Sequence, residues 1–210
     1  MAENVELSLE RMLPALQDLQ KRQIFDEAEV RSMIEQRRTF EYKLQKRAAE
    51  LGDYIRYLEY ELKLERLRRL RMTRLRRRVA GLGADARAAA GTVRGEGDHA
   101  GVRHIHKLFE RALRKFGQSS AGGTPGGPAL WEQYATFAER EGAGKTLSRL
   151  FARALALHPQ RVSLWVRAAE WEWRANGSAK SARTMLQRAL RANGRNAPLL
   201  WHEYFRLELM

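Results

Sequence analysis

"LWEQYATFAEREGAGKTLSRLFARAL" (130–155) reads as two amphipathic helices joined by a glycine-containing turn. Trp131, Tyr134 and Phe137 fall at i, i+3 and i+6, which makes one apolar stripe. Leu147, Leu150, Phe151, Ala154 and Leu155 make a second one beyond the turn. The turn contains Gly144-Lys145-Thr146, the last three residues of a phosphate-binding loop. Such a loop needs G-x-x-x-x-G-K-[ST], because its glycines let backbone N–H groups wrap around phosphate, and it follows a buried strand. Here the first glycine position is Glu139, whose charge repels phosphate, and the segment before it is a helix. The stretch is therefore a helical hairpin and not a nucleotide site.

The hairpin recurs. "ALWEQYATFAERE" (129–141), "SLWVRAAEWEWRA" (163–175) and "LLWHEYFRLELM" (199–210) all centre on Leu-Trp, with Trp131, Trp165 and Trp201 spaced by 34 and 36 residues. The second helix recurs as an Arg-Ala-Leu triplet at 111–113, 153–155 and 188–190, and "GQSSAGGTPGGP" (117–128) accounts for the longer first gap. "DYIRYLEYELKLE" (53–65) is an earlier copy of the first helix, with Tyr54, Tyr57 and Tyr60 on its stripe. A period of 34–36 residues made of two helices marks an α-solenoid. The expected repeat core is Tyr54, Tyr57, Tyr60, Ala112, Trp131, Tyr134, Phe137, Ala154, Trp165, Trp171, Ala189, Trp201 and Tyr204. The small Ala112, Ala154 and Ala189 would let the partner helix come close, and only Trp173, off the stripe, would be free for a surface. Pro128 and Pro198, three residues before a tryptophan, suit a helix's first turn.

Before the repeats, Asp26 with Glu29 forms a capping box ahead of a long helix. Leu13, Leu16 and Leu19 of a preceding helix would face Val30, Met33, Ile34 and Leu44. The expected fold is all-α, an N-terminal helical hairpin followed by an α-solenoid of antiparallel helix pairs with disordered Gly/Ala-rich loops. Its divisions are a hairpin over 1–50, a first repeat over 51–116 with a low-complexity loop at 80–101, a flexible linker at 117–128, and further repeats over 129–210. The last repeat stops after its first helix, which reads as a fragment, a truncated gene, or an end covered by a partner.

Charge is unevenly placed. The formal net charge is +14, and residues 61–120 carry 16 basic against 6 acidic side chains, whereas residues 1–60 carry 10 against 12. "ERLRRLRMTRLRRR" (65–78) holds Arg66, Arg68, Arg69, Arg71, Arg74, Arg76, Arg77 and Arg78. Leu67, Leu70 and Leu75 would keep one side partly apolar, while Arg68, Arg69, Arg76 and Arg77 would project into solvent. Three readings stand: contact with RNA phosphates, docking on an acidic protein surface, or a solvated helix end or import address. Base-specific readout is not expected, since no RNA-reading fold is present.

Enzyme chemistry finds no support. There is no cysteine, so thiol catalysis, disulfides and thiolate-bound zinc are excluded. His104 and His106 lie two apart, which points them to different sides of a helix, and His158 and His202 are solitary. No cofactor, no metal and no small-molecule substrate is expected. The N-terminus lacks an uninterrupted apolar run and no stretch approaches eighteen apolar residues, so neither a signal peptide nor a membrane partner is expected.

Trp-x-x-Tyr-x-x-Phe at 131–137 with Phe-x-Arg-Ala-Leu at 151–155 resembles the HAT (half-a-TPR) repeat of RNA-processing assemblies. Leu-Pro-x-Leu at 13–16, Phe-x-x-Ala-Glu at 25–29, "FEYKLQKR" at 40–47, the arginine-rich helix and "EYFRLELM" at 203–210 resemble the U3 small nucleolar RNA-associated protein 6 family. That resemblance implies a non-catalytic scaffold of the UtpB subcomplex in the small-subunit processome. It implies WD-repeat propeller proteins and U3 snoRNA or pre-rRNA as partners, and a place in the nucleus and nucleolus. A HAT scaffold in splicing or 3′-end processing, or a generic TPR adaptor, are the alternatives.

Overall fold

The computed structural model describes residues 2–80, 95, 97–118, 127–194 and 197–209, and every regular element among them is helical. The helices are α1 (Ala2–Glu10), α2 (Leu13–Lys21), α3 (Glu27–Gln45), α4 (Leu51–Ala80), α5 (Gly97–Phe116), α6 (Gly127–Arg140), α7 (Gly144–Leu157), α8 (Val162–Arg174), α9 (Ala179–Asn193) and α10 (Pro198–Leu209). The chain divides into two compact units, Met1–Ala112 and Leu113–Met210.

In the first unit the expected hairpin has three helices instead of two. Pro14 is the reason: it has no N–H to donate one turn back, so a continuous helix cannot run through residues 10–14. The chain turns at Arg11–Met12, with Met12 N–H on Leu9 O at 2.9 Å. Leu16 and Leu19 of α2, Ile24 and Phe25 of the turn, Val30 and Met33 of α3 and Met72 of α4 form one buried cluster, with Ile34, Leu64 and Leu75 at its margin. Leu13 is only half-buried, and Leu44 is buried outside that cluster. The capping box of α3 is complete: Glu29 N–H donates to Asp26 Oδ1 at 2.7 Å, and Asp26 N–H donates to Glu29 Oε2 at 3.0 Å. Asp26→Ala should lower stability by about 1 kcal/mol in a denaturant titration. Asp26→Asn, which keeps an acceptor, should cost less.

Helix α5 begins at Gly97, so residues 97–101 belong to it and not to a low-complexity loop. Ala80 is the last residue of α4, while residues 81–94 and 96 of that loop, and residues 119–126 of the linker, lie outside the described residues.

The second unit shows how the opening motif folds. Ala143 N–H donates to Ala138 O and Gly142 N–H to Glu139 O, both at 3.0 Å, with Gly142 at φ 65°. This is a Schellman ending, which needs a residue tolerant of positive φ. Three residues, 141–143, separate α6 from α7, so the two can pack along each other only antiparallel. Arg167 of α8 reaches back about one repeat period, to Glu132 O (2.9 Å), Thr136 Oγ1 (2.8 Å) and Glu139 Oε2 (2.8 Å) on α6. First helices of consecutive pairs thus lie side by side, as repeat stacking requires.

The pairs are locked in register by a recurring polar clamp. Four residues after the leucines of the first two Arg-Ala-Leu triplets stand Gly117 and Pro159. Gly117 O accepts from Trp131 Nε1 (3.1 Å) and His158 Nε2 (2.8 Å). Pro159 O accepts from Trp165 Nε1 (2.8 Å) and Asn193 Nδ2 (3.1 Å). His158 and Asn193 occupy the same place, three residues after the leucine of their own triplets. His158 is therefore not solitary: it is buried, its Nε2 carries the proton, and its ring meets the edge of Trp131 at 6.4 Å. The first linker residue, Gly117, is buried by these bonds.

Candidate nucleic-acid or partner interface

The expected core residues are placed as follows. Tyr54, Tyr57, Ala112, Trp131, Tyr134, Phe137, Ala154, Trp165 and Ala189 are buried. Tyr60 is half-buried 5.5 Å from Phe40, and Trp171 is half-buried 6.2 Å from Phe151. Trp173 is half-buried too, not free on a surface. Trp201 is a correction: 52% exposed, it stands outside the core, with Phe205 and Leu209 exposed beside it. Tyr204 is half-buried and accepts from Gln187 at 3.1 Å. Against Trp131 at 1%, the difference is that a following helix covers Trp131 and none among the described residues covers Trp201.

The arginine-rich half of α4 divides into two sets. Arg68 is 8% exposed, where solvent exposure was expected. Its Nε and Nη2 fork onto Glu65 at 2.8 and 2.7 Å, and its Nη1 reaches Asp98 at 3.3 Å. Arg69 also donates to Glu65, at 2.7 Å. Arg71 donates to both Glu29 oxygens (2.6 and 2.7 Å) and to Ile24 O (3.0 Å), with its guanidinium 4.9 Å from the Phe25 ring centre. Glu29 in turn is held below the usual carboxylate range, chiefly by the Arg71 hydrogen bond. Arg66, Arg74, Arg76, Arg77 and Arg78 remain exposed. Helical geometry explains the split. Glu61, Glu65, Arg68 and Met72 recur at intervals of three and four, so one face of α4 is inward and carries two carboxylates that need cations.

That inward face continues into a charged interior. Arg37 of α3 forks onto Glu61, Nε to Oε1 at 2.7 Å and Nη2 to Oε2 at 2.8 Å, and the pair is almost wholly buried. Arg111 Nη1 of α5 donates to both oxygens of buried Glu41 at 2.8 and 3.0 Å. The Tyr57 hydroxyl and His104 Nε2 share a 2.9 Å hydrogen bond. A cavity of about 840 Å³ lies among these groups, with Leu16, Phe25 and Leu108 on its apolar side. α4 and α5 meet here through long side chains more than through close backbone approach. Glu41, Glu61 and Glu65 are each held by an arginine. No group of three or more His, Cys, Asp or Glu among the described residues could hold a metal. No described helix is long and apolar enough to cross a membrane.

His104 gives this interior a pH dependence. Burial disfavours its cation; Glu61 opposes that and Arg37 reinforces it, and the group titrates at about 4 against 6.5 in a free imidazole. The unfolded chain therefore takes up a proton that the folded one refuses between those values. The contribution is complete above pH 6.5 and is lost as the pH falls toward 4, amounting to about 2 kcal/mol by pH 5. Denaturant titrations at pH 7.5 and pH 5 should show this fall, and His104→Gln should flatten it. Asp98 and Glu29, both lowered, add a separate loss only at more acidic pH.

With this geometry in hand, similarity to known proteins becomes informative. Residues 9–92, which span α2, α3 and α4, match the family described as U3 small nucleolar RNA-associated protein 6. The whole chain also aligns with a Schizosaccharomyces pombe protein of that name, 35% identical over 212 residues and covering 38% of it. The chain belongs to the U3 small nucleolar RNA-associated protein 6 family. The Homo sapiens homolog is 31% identical over 210 residues, again across the full chain and 32% of the relative. The Dictyostelium discoideum homolog is 26% identical over 207 residues. The chain thus spans about a third of the length of the curated relatives it matches. The family match takes in Arg37, Glu41, Glu61, Glu65 and Arg68 of the buried ionic interior, while Asp98, His104 and Arg111 lie beyond it.

Proposed function

We propose that this chain forms part of a non-catalytic scaffold of the small-subunit processome, serving ribosome biogenesis in the nucleolus. Its carrying observation is full-chain similarity to proteins named for association with U3 small nucleolar RNA. Stacked helix pairs locked by backbone clamps support a surface-presenting role, since such a stack exposes long faces to partners. The proposed partners are the U3 snoRNA or pre-rRNA particle and WD-repeat propeller proteins of the UtpB subcomplex. The exposed set Arg66, Arg74, Arg76, Arg77 and Arg78 is the proposed contact for RNA or partner, while Arg68 on Asp98 and Arg71 on Glu29 tie α4 to its neighbours and Arg69 pairs with Glu65 on α4 itself. Depletion of the full-length protein from cells should lower 18S rRNA and leave the large-subunit rRNA near its normal level. An unchanged ratio of the two would refute the reading.

A further inference from the structure

The exposed side of α4 combines charge with apolar surface in a way that narrows its partner. Leu70 is 53% exposed and Leu67, one turn before it, 38%. Residues three, four and seven apart are neighbours on a helix face. Around Leu70 those positions place Lys63, Arg66, Arg74 and Arg77, all exposed. No carboxylate among the described residues pairs with any of these four. The opposite side of α4 is anchored by Met72 in the buried cluster, by Arg68 on Asp98 and by Arg71 on Glu29.

Phosphates alone would satisfy the four cations but would leave the two leucines against a polar backbone or in water. An apolar centre with a charged rim is the anatomy of a protein interface. Arginine forks also match carboxylates in geometry. We propose that this face docks an acidic amphipathic helix of a partner protein. Its apolar residues lie on Leu67 and Leu70, and its carboxylates meet Lys63, Arg66, Arg74 and Arg77. The inference rests on the reading that the chain works inside an assembly, and it selects protein over RNA for this face.

The test uses full-length protein with the photo-crosslinking residue benzoylphenylalanine at Leu70, assembled in cells and purified with its particle. The expected product is a crosslink to one protein segment that carries apolar and acidic residues at helical spacing. Arg66→Glu/Arg74→Glu/Arg77→Glu should reduce its yield about tenfold. A synthetic peptide of that segment should also bind Leu67→Ser/Leu70→Ser protein about tenfold more weakly. A crosslink to RNA, to this chain itself, to a non-acidic segment, or no crosslink at all would overturn the inference. U3 RNA is measured in the same preparation. Its recovery without the crosslink overturns only the docking inference, and the crosslink without U3 RNA overturns only the processome reading.

Discussion

Arg37→Met should lower the unfolding free energy by about 3–5 kcal/mol, because it leaves a buried carboxylate without its cation. Glu61 is 1% exposed, with His104 Nε2 3.8 Å away. In the native protein burial keeps that imidazole neutral near pH 7, and Arg37 adds to the effect. The double variant Arg37→Met/Glu61→Met should recover most of the loss, since an apolar pair of similar volume has no charge to desolvate. Denaturant titration of the two single variants and the double variant measures the coupling directly. A loss below about 1 kcal/mol in Arg37→Met would mean that Glu61 reaches water.

Trp131→Ala and Trp201→Ala should differ sharply although the two residues occupy the same repeat position. Trp131 is 1% exposed, donates to Gly117 O, and carries the Arg153 guanidinium 5.4 Å from its ring centre. Its removal opens a cavity and leaves His158 as the only clamp donor on that carbonyl described here. A loss of about 3–5 kcal/mol is expected. Trp201 is half exposed in this chain, so its truncation should change stability by no more than about 0.5 kcal/mol. Trp131→Phe separates the two contributions, keeping most of the ring while removing the N–H, and should cost about 1–2 kcal/mol. Equal losses at 131 and 201 would contradict the clamp as drawn.

The helix pairs were legible because their period is written in large residues. Leu-Trp and Arg-Ala-Leu mark the two helices, and Gly142 marks the turn between them. The clamp was not legible from either histidine or asparagine alone. Once the triplets are aligned, His158 and Asn193 fall on one position, a signal that only the bonds to Gly117 O and Pro159 O make meaningful. The arginine run misleads for a different reason. Read as charge it looks uniformly solvated, yet Glu61 and Glu65 four residues apart on a half-apolar face already require inward cations. The break at Pro14 was also readable, since a proline at that point interrupts any helix running from residue 10. Trp201 could not be judged from its own repeat, because burial at that repeat position is set by what packs over it, not by the stripe alone.

The scaffold account is tested most directly by affinity purification of the tagged full-length protein from nuclear extract, with RNA and proteins both identified. The account predicts recovery of U3 RNA together with propeller-containing processome subunits, and retention of the proteins after nuclease treatment. Recovery of splicing or 3′-end-processing factors without U3 RNA would contradict it.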